Sequence, residues 1–171
     1  ATAALGDSAA TEQVYKVLSD VITLAEDAKI TILIETSGLF ADTKALRDML
    51  ERFASDYLGA LWNLSAAYFE FGEDPDTVIK NLGAYVRHVH FSDAEKNGEE
   101  LSYCLAGEGK LPVKEMMLAL RSVNYDGFVS LVWNPEWCEE IDDIEIIFSH
   151  FINFIKQFGD TSKNEKVLYY N

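Results

Sequence analysis

The sequence is poor in cysteine, histidine and positive charge. Its two cysteines, Cys104 and Cys138, are too few for a disulfide scaffold and lack the spacing of a zinc knuckle. Two thiols in a chain of this size read as reduced, intracellular residues. The 14 Lys and Arg against 29 Asp and Glu leave a formal net charge of −15 and a pI near 4.4. Such a surface repels phosphate backbones and anionic lipid, so nucleic acid and membrane surfaces are excluded as partners. No apolar run approaches the ~20 residues of a membrane helix. Residues 1–7 lack the basic-then-apolar pattern of a secretory signal. The expectation is a cytoplasmic protein. There are only three histidines, and two of them, His88 and His90, stand two residues apart.

What is present suits one packed domain: 171 residues, of which 49% are apolar and 12% aromatic. Residues 8–28 carry Val14, Val17, Leu18, Val21, Ile22 and Leu24 at helical spacing, with Ser8 or Thr11 as cap. The β-branched run 29–35 suits a strand covered on both faces, and Thr36-Ser37-Gly38 ends it. A helix starting at Asp42 or Thr43 places Leu46, Met49, Leu50 and Phe53 on one face. A strand follows at 58–63, then the turn Gly72-Glu73-Asp74-Pro75 and a short helix over 76–82. The histidine strand spans 85–91, and residues 92–109 read as a long polar loop. Pro112 opens a helix with Val113, Met116, Met117, Leu120 and Val123 buried. Residues 124–127 form a turn, 128–133 a fourth strand, and 144–158 a last helix capped at Asp142 or Asp143. His150 lies inside that helix among apolar neighbours and reads as a packing or surface residue.

A leading helix followed by four strand–helix units implies an α/β fold with a parallel sheet and right-handed crossovers. Two architectures fit: a small doubly wound sheet, or about four β/α units of an eight-stranded barrel, a half-barrel with a polar tail. We divide the chain into one domain at 1–158 and a linker-like tail at 159–171.

The chemistry gathers at the C-terminal strand tips, where a barrel builds its active site. The tips carry Glu35, Asn63, His90 and Val132. Spacing by two puts His88 and His90 on one face of their strand. Glu, Asp, His and Glu at four such tips would hold Mn²⁺, Mg²⁺, Co²⁺ or Zn²⁺. This chain has an amide at the second tip and a hydrocarbon at the fourth. Trp62, Trp133 and Trp137 are candidates for a pocket mouth, or for covering an incomplete barrel.

Several stretches together resemble the C-terminal half of the xylose-isomerase-like barrels, the sugar phosphate isomerase/epimerase group that includes endonuclease IV. Ile32-Leu-Ile-Glu35 is similar to the family strand ending in a metal-binding Glu. Leu61-Trp-Asn-Leu-Ser-Ala66 falls where the family has Asp-x-x-His. Val86-Arg-His-Val-His-Phe-Ser-Asp93 resembles His-x-His-x-x-Asp. Gly107-Glu-Gly109 resembles a Gly-x-Gly turn, and Gly127-Phe-Val-Ser-Leu-Val-Trp133 the last strand, Tyr-x-Gly-x-x-Ser-x-Glu.

The resemblance implies that Glu35 is a metal ligand and an acid/base carboxylate, that His90 is a metal ligand, and that His88 and Asp93 contact substrate or support the site. It implies a sugar or sugar phosphate as substrate. Trp62 and Trp133, as pocket-mouth candidates, join the expected substrate contacts. The departures are Asn63 for a ligand Asp, Ala66 for a substrate-binding His, and Val132 for a ligand and second catalytic Glu. A 1,2-proton shift needs two carboxylates and a polarising cation. With one carboxylate, metal binding is expected to be weak or absent. The expected function is therefore a sugar isomerase/epimerase-like domain with a degraded metal site, non-catalytic or a fragment of a larger protein. The alternative is an enzyme active once the barrel is completed. The loop acids Glu70, Glu73 and Glu108 could replace the lost group but read as solvated. A DNA-repair nuclease would need many more metal ligands and a cationic surface. Four parallel strands leave open edges, so pairing with a second copy (a homodimer), with a missing N-terminal half, or with the tail is expected.

Overall fold

The structure, a computed structural model, describes residues 8–98, 100–137 and 143–158. The tail at 159–171, the proposed cap Asp142 and Cys138 lie outside the described residues.

Helix α1 spans Ser8–Ala28, and its end turns through Lys29 at φ +56°, with the Ile30 amide bonded to the Ala25 carbonyl. That turn consumes residues expected in the strand, so β1 is confined to Ile32–Glu35. Helix α2, Thr43–Phe53, begins where the Asp42 carboxylate accepts the amides of Lys44 and Ala45. Strand β2 covers Leu58–Asn63. A short turn α3, Leu64–Ala66, runs into a π-helical segment, Ala67–Phe71, ended by Gly72 at φ +78°. Helix α4, Pro75–Leu82, is capped by Asp74 and has Pro75 at its first position. Strand β3 is Val86–Phe91.

Residues 92–109 are not a plain loop. They contain an antiparallel hairpin of β4, Asp93–Asn97, and β5, Glu100–Cys104. Its strands are largely polar and, beyond the buried Asp93 and Ala94, half-buried or exposed, so apolar alternation does not announce them. Asn97-Gly98 at the bend, with Gly98 at φ +66°, is the signal that was present. Helix α5, Val113–Ser122, strand β6, Val129–Leu131, and helix α6, Ile144–Ile155, complete the described elements.

The four long-range strands form one parallel sheet in the order β1-β2-β3-β6. This is four consecutive β/α units of a barrel. The core lies on one face of the sheet. There Leu58, Ala60, Trp62, Val86, Val89 and Phe91 pack against Leu46, Met49, Val78, Leu82, Met116 and Phe151 of the helices. Burying these side chains is the main force holding helices to strands, at about 1.5–3 kcal/mol per large side chain.

One irregularity decides which groups face the other way. Ala60 pairs with Val86, but the next residue, Leu61, pairs with His88. Arg87 is thus an extra residue in β3, a bulge, and its guanidinium bonds the Ala84 carbonyl at 2.9 Å. Without it, Val86 and Val89 could not both point into the core while His88 and His90 point away from it. The face opposite the helices carries Leu33, Glu35, Leu61, Asn63, His88, His90, Ser130 and Val132, all partly exposed.

Candidate functional site

Glu35, Asn63 and His90 come from three adjacent strands and meet at their C-terminal ends. Asn63 pairs across the sheet with His90, and His90 with Ser130. The Asn63 side-chain N–H donates to Glu35 Oε1 at 2.7 Å, and His90 Nδ1 lies 3.7 Å from the same oxygen. The carboxylate and imidazole therefore touch rather than face each other across a gap. His90 and then Asn63 hold the Glu35 carboxyl below the usual carboxylate range, although partial burial works against them.

The orientation of Asn63 is fixed by the backbone. Its Oδ1 caps the turn α3, accepting the Ala66 amide at 3.1 Å and the Ser65 hydroxyl at 3.0 Å. The NH₂ end must therefore face Glu35. Thr36 locks the same corner, its hydroxyl accepting the Asn63 amide at 2.9 Å. A cation between Glu35 and residue 63 would need the amide oxygen, which is turned away. Among the described residues, no three His, Cys, Asp or Glu side chains are grouped to hold a metal.

His88 Nε2 lies 2.9 Å from the Ser130 hydroxyl, and its ring stands edge-on to His90 with centroids 5.3 Å apart. Burial and the neighbouring His90 push its pKa down. Val132 follows Leu131 on the same face as Ser130, and its amide bonds the Phe91 carbonyl at 2.8 Å. The fourth strand tip thus offers only a hydrocarbon.

Two expected contact residues are placed elsewhere. Trp62 is fully buried on the helix side of β2, because strand alternation sends it opposite to Asn63. Asp93 is 2% exposed. Its carboxylate accepts the amides of Ala94 at 2.9 Å, Gly107 at 2.7 Å, Gly109 at 3.1 Å and Leu111 at 3.5 Å. It ties the hairpin to the following turn and does not reach the open face. Trp133 lies edge-on to Trp137, with ring centroids 6.3 Å apart. Of the loop acids, Glu70 accepts the Gly38 amide at 2.8 Å. Glu73 is bonded to the Thr43 hydroxyl and amide at the start of α2. Glu108 lines a separate cleft of about 290 Å³ with His150 and Phe154.

The chain matches the family described as xylose isomerase-like TIM barrel over residues 3–152. It belongs to that family. An uncharacterized protein of Methanocaldococcus jannaschii is 27% identical over 124 residues, covering 68% of this chain and 41% of that protein. A D-psicose 3-epimerase from Clostridium cellulolyticum H10, solved with D-tagatose, superposes with a TM-score of 0.67 at 15% identity, over 86% of this chain and 54% of the other. The IolI protein, solved with a bound zinc atom, gives 0.72 at 14% identity, over 86% and 56%. At these identities the structural matches establish the fold. The chain spans about half the length of the proteins it matches. Among its described residues no helix is long and apolar enough to cross a membrane.

Sequence reading missed Ser65, Thr36, Ser130 and Tyr103. The first three are short polar residues at or beside strand ends, a weak but available signal. Tyr103 depends on recognising the hairpin.

Proposed function

We propose that this chain is one half of a sugar isomerase/epimerase-type barrel whose strand-end site binds a small hydroxyl-rich molecule without a metal ion. The observation that carries this reading is the Asn63 amide donating to Glu35 Oε1 at 2.7 Å while its oxygen caps α3. A divalent ion favours several anionic oxygens, and here the one carboxylate is already engaged by an amide N–H and lies beside an imidazole. The same contacts hold the Glu35 pKa low, which weakens it as a general base at neutral pH. Val132 supplies no second carboxylate. What the row offers is alternating donors and acceptors: Glu35, Asn63, His90, His88 and Ser130. Sugar hydroxyls, each both donor and acceptor, match such a row. A phosphate group would want Arg or Lys, and neither belongs to the row, so a neutral sugar or polyol is favoured over a sugar phosphate. The low cysteine content fits a cytosolic setting.

The test is metal analysis of the purified chain, thermal melts with Mn²⁺, Co²⁺, Mg²⁺ and Zn²⁺, and titration with D-fructose, D-tagatose and D-psicose. The expected result is sub-stoichiometric metal, no metal-specific rise in melting temperature, and sugar binding that Glu35→Ala abolishes. Stoichiometric metal with a large thermal shift overturns the reading.

A second reading, an enzyme assembled only in a complete barrel, draws on the sheet itself. Strands β1 and β6 end the sheet, and the face carrying Leu33, Leu61 and Val132 is half-open. We infer that a second half, either a preceding segment of a longer polypeptide or another copy, closes it. A strictly monomeric species across a concentration series in light scattering, with no exposed-surface dye binding, counts against that closure.

A further inference from the structure

We propose that Tyr103, carried by the β4–β5 hairpin, is a specificity-determining residue of the strand-end site, presenting an aromatic wall and a phenol to the hydroxyl-rich ligand seated against Glu35, Asn63 and His90. This rests on the binding reading above and adds the side of the site that the sheet does not supply.

The argument begins with where the hairpin stands. It leaves β3 directly after His90 and Phe91, so it rises from the same sheet end as the site. Its base is bolted by Asp93 to Gly107 and Gly109. Its side is tied down by Lys96, whose ammonium donates to the Phe69 carbonyl at 2.6 Å, on the segment that follows Asn63. The hairpin is thus anchored on both flanks rather than hanging free.

Tyr103 is the aromatic residue of this hairpin, placed opposite Ala94. Its ring lies flat on Trp137, with centroids 3.9 Å apart and planes 16° apart. Trp137 in turn meets Trp133 edge-on, just beyond Val132 of the last strand end. Burial and the negative charges of Glu70 and Glu35 push the phenol's pKa up, and the Ser65 hydroxyl works against them. Ser65 donates to Asn63 Oδ1, and the Asn63 amide donates to Glu35. The hairpin's phenol is thus electrostatically coupled to the hydrogen bonds that join Ser65, Asn63 and Glu35. Trp133 Nε1 is a buried donor with no acceptor among the described residues.

The chemistry of the two halves is complementary. The sheet contributes polar groups, and the hairpin side contributes π faces and a phenol. Sugars carry both kinds of surface, hydroxyls at the rim and C–H groups on the ring faces, and aromatic side chains with a polar tip suit such contacts. A phenol on a half-buried ring stacked against Trp137 should discriminate by configuration, because a hydroxyl pointing the wrong way leaves it unpaired.

The test compares wild type, Tyr103→Phe, Tyr103→Ala and Glu35→Gln in titrations with D-fructose, D-psicose and D-tagatose, three ketohexoses differing in the configuration at one or two carbons. Melting temperatures and tryptophan fluorescence are followed in each case. Tyr103→Phe keeps the stack on Trp137 and removes the hydroxyl. The expected result is an unchanged fluorescence maximum and melting curve, affinity for the preferred sugar reduced roughly fivefold, as loss of one neutral hydrogen bond implies, and a changed ratio of affinities among the three sugars. Tyr103→Ala should weaken all three and shift the Trp137 emission. If wild type binds, Glu35→Gln weakens binding, and both Tyr103 variants leave affinities and their ratio intact, Tyr103 has no role in the site and the proposal falls while the binding reading stands. If wild type binds none of the sugars, or Glu35→Gln leaves binding unchanged, the binding reading falls and takes this proposal with it.

Discussion

Replacing Asp93 separates a structural carboxylate from a ligand contact. The side chain is buried, and its two oxygens receive four backbone amides: Oδ2 those of Gly107 and Gly109, Oδ1 those of Ala94 and Leu111. Hydrogen bonds to a charged acceptor contribute about 1.5–3 kcal/mol each, and they are not additive within one cluster. Asp93→Ala leaves three well-formed donors without an acceptor, a change of the kind that costs roughly 3–5 kcal/mol. For a chain of this size about 2–4 °C accompanies each kcal/mol, so the melting temperature should fall by about 6–20 °C. Asp93→Asn keeps one oxygen and sets its NH₂ against the other pair of amides, so it should lie between the two. Circular-dichroism melts and urea titrations give the stabilities. Hydrogen exchange at β4 and β5 should quicken in Asp93→Ala, since the hairpin loses the anchor at its base. Sugar affinity of the folded fraction should fall only as far as the hairpin loosens. The reasoning is refuted if Asp93→Ala melts within about 2 °C of wild type while ligand affinity collapses, because the carboxylate would then serve the ligand and not the fold.

Three other outcomes are expected. Asn63→Asp exchanges a 2.7 Å hydrogen bond to Glu35 for two facing carboxylates, and should lose roughly 1–2 kcal/mol at neutral pH in urea titrations. Together with Val132→Glu it should acquire a Mn²⁺-dependent rise in melting temperature that the parent lacks. His88 has its pKa pushed below 6.5 in the fold by burial and by His90, so the unfolded chain takes up the proton first. The stability it contributes is complete above pH 6.5 and declines as pH falls through the folded value. The lowered Glu35 pKa adds the same slope below pH 4.5, and the urea midpoint of His88→Gln should lose the upper part of the slope. Trp62→Ala should cost about 3–5 kcal/mol as a core truncation while leaving sugar affinity of the folded fraction unchanged, and a loss of affinity without a loss of stability would return Trp62 to the site.

The parallel sheet was legible because its strands are short apolar runs separated by amphipathic helices of regular length. Leu46, Met49 and Leu50, or Val113, Met116 and Leu120, mark the buried faces without any structure. The strand tips were legible for the same reason, since Glu35, Asn63 and His90 each end such a run. The hairpin was not legible by periodicity. Its strands bury little, and it is held by one carboxylate and by edge contacts that no local pattern encodes. Trp62 shows a different limit. An aromatic residue beside a polar strand end suggests a pocket mouth, yet alternation alone assigns Trp62 and Asn63 to opposite faces of β2. The bulge at Arg87 lay beyond sequence reading altogether, because spacing by two in β3 puts Val86 on the histidines' face until the extra residue is known.

The residue at position 63 links the cap, the charge and the missing carboxylate. A helix cap alone does not explain an amide there, because Asp caps as well as Asn. The difference lies at the other end of the side chain, which rests against Glu35. Two carboxylates at that distance need a cation or a proton between them. A cation there would want further anionic ligands, and the strand that could supply one ends in Val132. Asn63 and Val132 are therefore consistent with each other: once the fourth strand tip offers no charge, an amide at the second tip is the residue that lets Glu35 stay ionised beside it. The pair His90 and Asn63 flanks the Glu35 carboxylate with nitrogen, the amide N–H at 2.7 Å and the imidazole at 3.7 Å. These contacts leave hydrogen-bonding capacity at the same strand ends, in the His88 and Ser130 pair and the His90 ring.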